Sequence, residues 1–98
     1  MAQTVAECLT AAIDSVTVIN DINTNGNKSP HAGGTTDIDG NVVASDWSQA
    51  DINACVQRNI DHLELILEYT EPNVKGASDD KSSYTGAVTT GKAYIAAN

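Results

Sequence analysis

Oxygen-bearing side chains alternate along residues 21–26, which read D-I-N-T-N-G and directly follow the first apolar stretch of the chain. A related pattern surrounds Gly40, with acidic residues three and one positions before the glycine and another six positions after it. Calcium takes several oxygen ligands, which alternate residues of a loop supply while a glycine allows the sharp turn. The pattern therefore predicts six calcium ligands: Asp21, Asn23, Asn25, Asp37, Asp39 and Asp46.

Both halves of this pattern depart from a complete calcium loop. Lys28 and Ala32 occupy the positions where the first half needs an apolar residue and a glutamate, and Thr35 replaces the leading Asp of the second half. The second half, with Val42 at its apolar position, resembles the calcium loop of EF-hands and dockerin modules. Because Asp, Asn, Gly and Thr are also ordinary turn residues, plain turn chemistry is the simpler interpretation. A calcium-dependent binding module is therefore kept as an alternative.

The remaining chemistry-bearing side chains form no catalytic pattern. Asp61, Glu64 and Glu68 lie on adjoining turns of a predicted helix, where paired carboxylates can do acid–base work, but a solvated helix face is the simpler interpretation. His31 and His62 have no Ser or Cys nucleophile setting around them, so no triad is predicted. We expect a protein that is not an enzyme and has no cofactor apart from the calcium alternative.

The two cysteines, Cys8 and Cys55, are expected to stay unpaired. If the first two helices are antiparallel, Cys8 is level with residue 60, so Cys55 is offset by roughly 7.5 Å along the axis. A disulfide needs Cα atoms within about 7 Å and converging Cβ vectors. Both residues are therefore interpreted as small buried hydrophobic side chains.

Composition limits both the core and the partners of the chain. The 98 residues favour one domain, and they include no Phe, one Trp and three Tyr, so the core is expected to be thin. Thin cores are commonly completed by oligomerisation. The net charge of −8 disfavours binding to nucleic acid or to anionic membranes and is compatible with a basic protein partner. No apolar run is long enough to span a membrane, and no secretory signal is recognised.

The first helix is predicted over about residues 4–22, followed by a polar loop over 23–44. Thr4 and Glu7 have the spacing of a capping box. Apolar residues then recur every three or four positions, which is typical of an amphipathic helix; they are Val5, Leu9, Ala12, Val16 and Ile19, widened by Ile13 and Ile22. A loop of about 20 irregular residues is unusual in a compact domain and tends to be functional or disordered. A short strand over 41–43 is an option within it.

The second helix is predicted over about residues 46–70, with Ser45 or Ser48 as its N-cap and Pro72 after its end. A third helix is predicted over 78–96 after an N-cap at Ser78, although Gly86 and Gly91 weaken it. A glycine-containing hairpin, or an arm that orders on docking, is the alternative there. The fold class is all-α: an antiparallel helical hairpin with a long polar loop and a C-terminal third helix, forming a small single-domain helical bundle.

Five residues are candidates for contact with a partner. Trp47 is interpreted as a core anchor where the loop meets the bundle or as an interface residue, and Tyr84 and Tyr94 as interface anchors. Glu68 and Glu71 crowd the C-terminal end of the second helix, where the helix dipole disfavours anions. A basic patch on a partner would offset this crowding.

The chain resembles the small virion structural proteins of tailed phages, especially cyanophage types. The resemblance is carried by the Met1-Ala2 start, by the acidic composition rich in Ala, Thr, Asn and Gly, and by S-Y-T-G-A-V-T-T-G-K-A-Y-I at residues 83–95. It implies a capsid decoration, cement or connector protein in the virion, assembled in the host cytoplasm as a homo-oligomer or lattice component. Its partners would be itself or other virion proteins. A small acidic regulatory protein that binds one basic partner is the other alternative.

Overall fold

Three α-helices and a structured connection make up the computed structural model of this chain, which describes residues 5–70 and 82–98. The all-α prediction of a small helical bundle is confirmed. Two short 3₁₀ turns, at Gly26–Lys28 and Pro30–Ala32, follow the first helix. The α-helices are α1 (Val5–Asn25), α2 (Gln49–Thr70) and α3 (Ser82–Ala97).

Each helix packs against the other two, so the core lies along the axis of a three-helix bundle. The fully buried residues of α2, Ile52, Val56, Ile60 and Leu63, recur at spacings of four and three, which places them on one helical face. The loop contributes Ala32, which closes one end of the core. The other core residues are Ala12, Ile19 and Ile22 from α1, Cys55 and Ile66 from α2, and Ala87, Val88 and Tyr94 from α3.

The C-terminal segment is a helix rather than a hairpin, and it runs antiparallel to α2. A Cβ atom added to Gly91 would lie 2.9 Å from Ile60, so the glycine allows the two backbones to approach closely. One helical turn towards the C-terminal end of α3, the hydroxyl of Tyr94 accepts a 2.9 Å hydrogen bond from the side-chain amide of Gln49. As the residue numbers rise along α3, those of its partners on α2 fall.

The helix boundaries differ from the predicted ones for two local reasons. The first helix continues to Asn25 rather than ending near residue 22, and it ends where Gly26 adopts a left-handed φ of +60°. The second helix begins at Gln49 rather than near residue 46. Its N-cap is Ser48, whose hydroxyl accepts the backbone N–H of Asp51 at 3.1 Å.

Parts of the sequence-based predictions fall outside the described residues. These are the backbone features predicted at Thr4, Glu71, Pro72 and Ser78, and the side-chain positions predicted for Val5, Cys8 and Leu9. Cys55 is buried with a free thiol, in agreement with the expected small core side chain. None of the helices in the described ranges combines the length and hydropathy that a bilayer-spanning segment requires.

Candidate contact surface at the loop end

Two serines organise the connection between α1 and α2, which runs over residues 26–48. Ser29 is fully buried; its carbonyl accepts the N–H groups of Ala32 and Gly34 at 3.0 and 3.1 Å, and its hydroxyl accepts the N–H of His31 at 3.2 Å. The hydroxyl of Ser45 donates to the carbonyl of Ala32. These bonds satisfy backbone groups that the loop would otherwise leave without partners, so the long loop is an ordered part of the fold.

Trp47 covers the backbone of the same loop. Gly33 has a φ of +85°, and a Cβ atom there would lie within 2.7 Å of three atoms of the indole ring. The neighbouring Gly34 is surrounded by backbone, because a Cβ atom there would lie 2.7 Å from the carbonyl oxygen of Ser29 and 3.0 Å from that of Val43. Trp47 nevertheless remains 37% exposed. It therefore packs on the loop and also contributes aromatic surface to the outside of the molecule.

A tight turn at Asp37–Asn41, which we call the tip, projects from this loop. The N–H of Gly40 donates to the carbonyl of Asp37 at 3.0 Å, and the N–H of Asp37 donates to the carbonyl of Asn41 at 2.9 Å. The Asp37 carboxylate accepts the N–H groups of Asp39 and Asn41 at 3.0 and 2.9 Å. Ile38 occupies the apex of the tip and is 100% exposed. In place of the short strand considered over 41–43, the structure has an isolated antiparallel bridge between Thr36 and Val42.

An open cleft lies at the start of α2, beside Trp47. Asp51, Ala54 and Arg58 line it from positions three and four residues apart, which share one face of the helix. The cleft has a volume of about 290 Å³ and combines the indole edge, a methyl group, a carboxylate and a guanidinium group. Within the described residues no ion pair engages Arg58. We refer to this feature as the Trp47–Arg58 cleft.

A second groove, of about 310 Å³, lies where the beginning of α3 meets α1. Ile13 and Tyr84 line it together with Val16, Thr17 and Ser83. Ile13 is 57% exposed, although the apolar periodicity of α1 includes it. Tyr84 is half-buried against the core, so part of its ring is available for the contact that the sequence predicts.

The predicted calcium ligands do not come together in this structure. Asp21, Asn23 and Asn25 all lie on α1, where Asn23 points about 160–200° away from the other two, so the three side chains cannot converge on one ion. Asp21 instead pairs with Nδ1 of His31 at 2.6 Å. The carboxylate of Asp37 accepts backbone N–H groups within its own turn. Among the described residues, no group of three or more His, Cys, Asp or Glu side chains could hold a metal ion.

The other predicted contact residues have different environments. Tyr94 is buried, with 9% of its surface exposed, so its ring belongs to the core rather than to an outer surface. Glu68 is exposed near the end of α2, and Glu71 lies outside the described residues. One turn before Glu68, the carboxylate of Glu64 lies 3.6 Å from Nζ of Lys92 on α3. Both of these side chains are about half exposed, so solvent weakens the pairing.

The structure also contains a Ser–His pair that sequence reasoning missed. The hydroxyl of Ser15 on α1 lies 3.3 Å from Nδ1 of His62 on α2. Only 2% of Ser15 is exposed, so its hydroxyl cannot meet a substrate, and the pair joins two helices instead. The sequence does contain a signal that Ser15 is buried, because it lies three residues after Ala12 and four before Ile19, on the buried face of α1.

Comparison of the chain with protein-family models, with curated proteins and with solved structures gives no match. Function is therefore inferred from the residues themselves. At the loop end they provide a hydrogen-bonded tip with one exposed isoleucine, and a cleft with an aromatic edge and charged groups. Such features suit contact between proteins.

Proposed function

We propose that this protein is a non-enzymatic structural or assembly protein that acts through protein–protein contacts, as a decoration or cement component of a virion. The observation that carries the proposal is the fully exposed Ile38 at the apex of a hydrogen-bonded turn. Burying an isoleucine side chain contributes about 1.5–3 kcal/mol to association. Because the tip is already ordered, little of that free energy is lost to fixing the loop on binding.

The small core supports the same proposal. Tyr94 is the one aromatic side chain in the core cluster of the described residues, and most other members are Ile, Val or Ala. Large apolar side chains remain at the surface instead, and two of them, Ile38 and Trp47, lie at the loop end. A chain that leaves its bulky groups outside gains stability when a neighbour covers them.

Charge and resemblance narrow the kind of partner. The net charge of −8 favours a protein surface over nucleic acid or an anionic membrane. The acidic composition rich in Ala, Thr, Asn and Gly, which carries the resemblance to small tailed-phage virion proteins, supports contacts in a capsid or tail. A regulatory protein that captures one basic host protein is the competing interpretation, and no contact of the described residues favours it.

Density-gradient centrifugation of lysates from the cells that produce this protein tests the proposal. We expect the protein, detected by antibody, to band with particles that contain nucleic acid and to remain on them after washing. Ile38→Ser should reduce its occupancy on the particles, whereas Leu65→Ser, which removes another exposed apolar side chain, serves as the matched control. A protein found entirely in the soluble fraction, bound one-to-one to a single basic host protein, would refute the virion role.

A further inference from the structure

We propose that the tip of one chain docks into the Trp47–Arg58 cleft of a second copy of this chain. The proposal rests on the proposed function and specifies a partner for it. Ile38 would enter the cleft beside the Trp47 ring and Ala54, and the Asp39 carboxylate would pair with the Arg58 guanidinium. Every chain carries both the tip and the cleft, at different places on its surface.

The apolar parts of the tip and the cleft are complementary. Ile38 is 100% exposed, so within its own chain the side chain touches nothing and the cleft of the same molecule is not its partner. The cleft, at about 290 Å³, is large enough to receive one aliphatic side chain. Its indole edge is held in place by packing on Gly33, so both surfaces are formed before they meet. Preformed surfaces bind without the entropic cost of ordering.

The Arg58 end of the cleft is complementary in charge to Asp39. The Asp51 carboxylate also lines the cleft, but it lies seven residues from Arg58, roughly 10.5 Å along the helix axis. The Asp37 carboxylate accepts two backbone N–H groups. The Asp39 carboxylate, in contrast, forms no hydrogen bond or ion pair with the described residues. Arg58 is likewise unpaired within the described residues. An Asp–Arg pair at the edge of an apolar contact fixes its register and disfavours other partners. In a chain of net charge −8, it places opposite charges where two copies would otherwise repel each other.

The geometry of the contact determines what it can build. Because the tip and the cleft are different surfaces, a chain that offers its tip to a neighbour still has a free cleft. Reciprocal exchange between two chains closes a dimer, and non-reciprocal contacts continue from chain to chain. A single small contact of this kind is weak, and a particle surface that holds many copies strengthens it through avidity.

Sedimentation equilibrium of the intact chain, over concentrations reaching the millimolar range, tests the proposal. We expect the mass of the wild type to rise above the single-chain 10.2 kDa. Ile38→Ser and Arg58→Asp should each weaken association by about tenfold or more. Both side chains are exposed, so neither change disturbs the core. Leu65→Ser, which removes a side chain that is 52% exposed elsewhere on α2, should associate as the wild type does.

A mixing experiment distinguishes this contact from nonspecific association. The Ile38→Ser chain keeps an intact cleft, and the Arg58→Asp chain keeps an intact tip. An equimolar mixture should therefore regain association but stop at one-to-one pairs. Trp47, the single tryptophan of the chain, reports the contact directly, because its emission should shift to shorter wavelength on association in the wild type and not in Ile38→Ser.

A wild type that stays at the single-chain mass with constant Trp47 emission overturns the proposal. Association that is unchanged by both Ile38→Ser and Arg58→Asp, or a mixture that does not associate, overturns it equally. These results leave the virion role intact if the protein still bands with particles. Loss of banding together with intact self-association would instead refute the virion role and leave the tip-to-cleft contact in place.

Discussion

The indole of Trp47 lies so close over Gly33 that any larger residue at position 33 would collide with it. Gly33 has a φ of +85°, a backbone conformation that residues other than glycine rarely adopt. The single tryptophan of the chain thereby fastens the loop to the beginning of α2. This contact holds the indole where it forms the aromatic wall of the Trp47–Arg58 cleft.

Gly33→Ala should destabilise the protein and release the indole. The substitution costs about 1–2 kcal/mol for the left-handed backbone and about 1–3 kcal/mol for the collision. Gly40→Ala is the matched control, because Gly40 has the same φ of +85° and nothing within 4 Å of an added Cβ atom. Urea unfolding followed by Trp47 fluorescence measures both variants. Equal losses in the two would show that the indole contact contributes nothing to stability.

Gly91→Ala and Gly86→Ala on α3 should have opposite effects. Alanine is favoured over glycine in a helix by about 1 kcal/mol, and a Cβ atom at Gly86 meets nothing within 4 Å, so Gly86→Ala should stabilise the protein. At Gly91 the new methyl group would lie 2.9 Å from Ile60 and 3.1 Å from Val56, and this overpacking should outweigh the gain. Thermal unfolding measures the difference. A stabilised Gly91→Ala would mean that α2 and α3 pack less closely than described.

The Ser15–His62 pair should contribute to stability as a coupled unit. Removing one neutral hydrogen bond costs about 0.5–1.5 kcal/mol, and a buried hydroxyl left without a partner costs about 1–3 kcal/mol. His62→Ala should therefore cost more than Ser15→Ala, because it leaves the buried Ser15 hydroxyl unsatisfied. A double-mutant cycle in urea measures the coupling free energy. Additive losses would show that the 3.3 Å approach is not a bond in solution.

Calcium should leave the melting temperature unchanged relative to a chelator. On α1, Asn23 points to the opposite side from Asp21 and Asn25, and the Asp37 carboxylate already accepts backbone N–H groups. Differential scanning calorimetry in excess calcium and in chelator tests this expectation. A clear rise in the melting temperature with calcium, abolished by Asp37→Asn or Asp21→Asn, would restore the calcium-binding alternative.

The helices could be predicted because the sequence features that determine them are local. Apolar residues of α2 recur at helical spacing, and Val88 and Gly91 of the weaker third helix also lie on its buried face. The N-terminal boundary of α2 is different, since Ser45 and Ser48 both have cap chemistry. Ser45 is engaged elsewhere, through a hydroxyl that donates to Ala32 and accepts from the N–H of Trp47. Only the tertiary structure reveals which serine is free to cap.

The loop end could not be predicted, because its order depends on distant contacts. The pattern at residues 21–26 is compatible with a loop or a helix, and packing of Ile22 in the core favours the helix. The tight packing of Gly34 depends on the carbonyl of Val43, nine positions along the chain. Tyr94 and Tyr84 have the same residue type, yet only the arrangement of α3 on α2 decides that Tyr94 is buried.

The central claim about the loop end is that the tip of one chain binds the Trp47–Arg58 cleft of another, and light scattering across a concentration series tests it most directly. We predict a mass that rises above 10.2 kDa with concentration for the wild type and remains near 10.2 kDa for Ile38→Ser at the same concentrations. A wild-type mass of 10.2 kDa throughout, indistinguishable from that of Ile38→Ser, would contradict the claim.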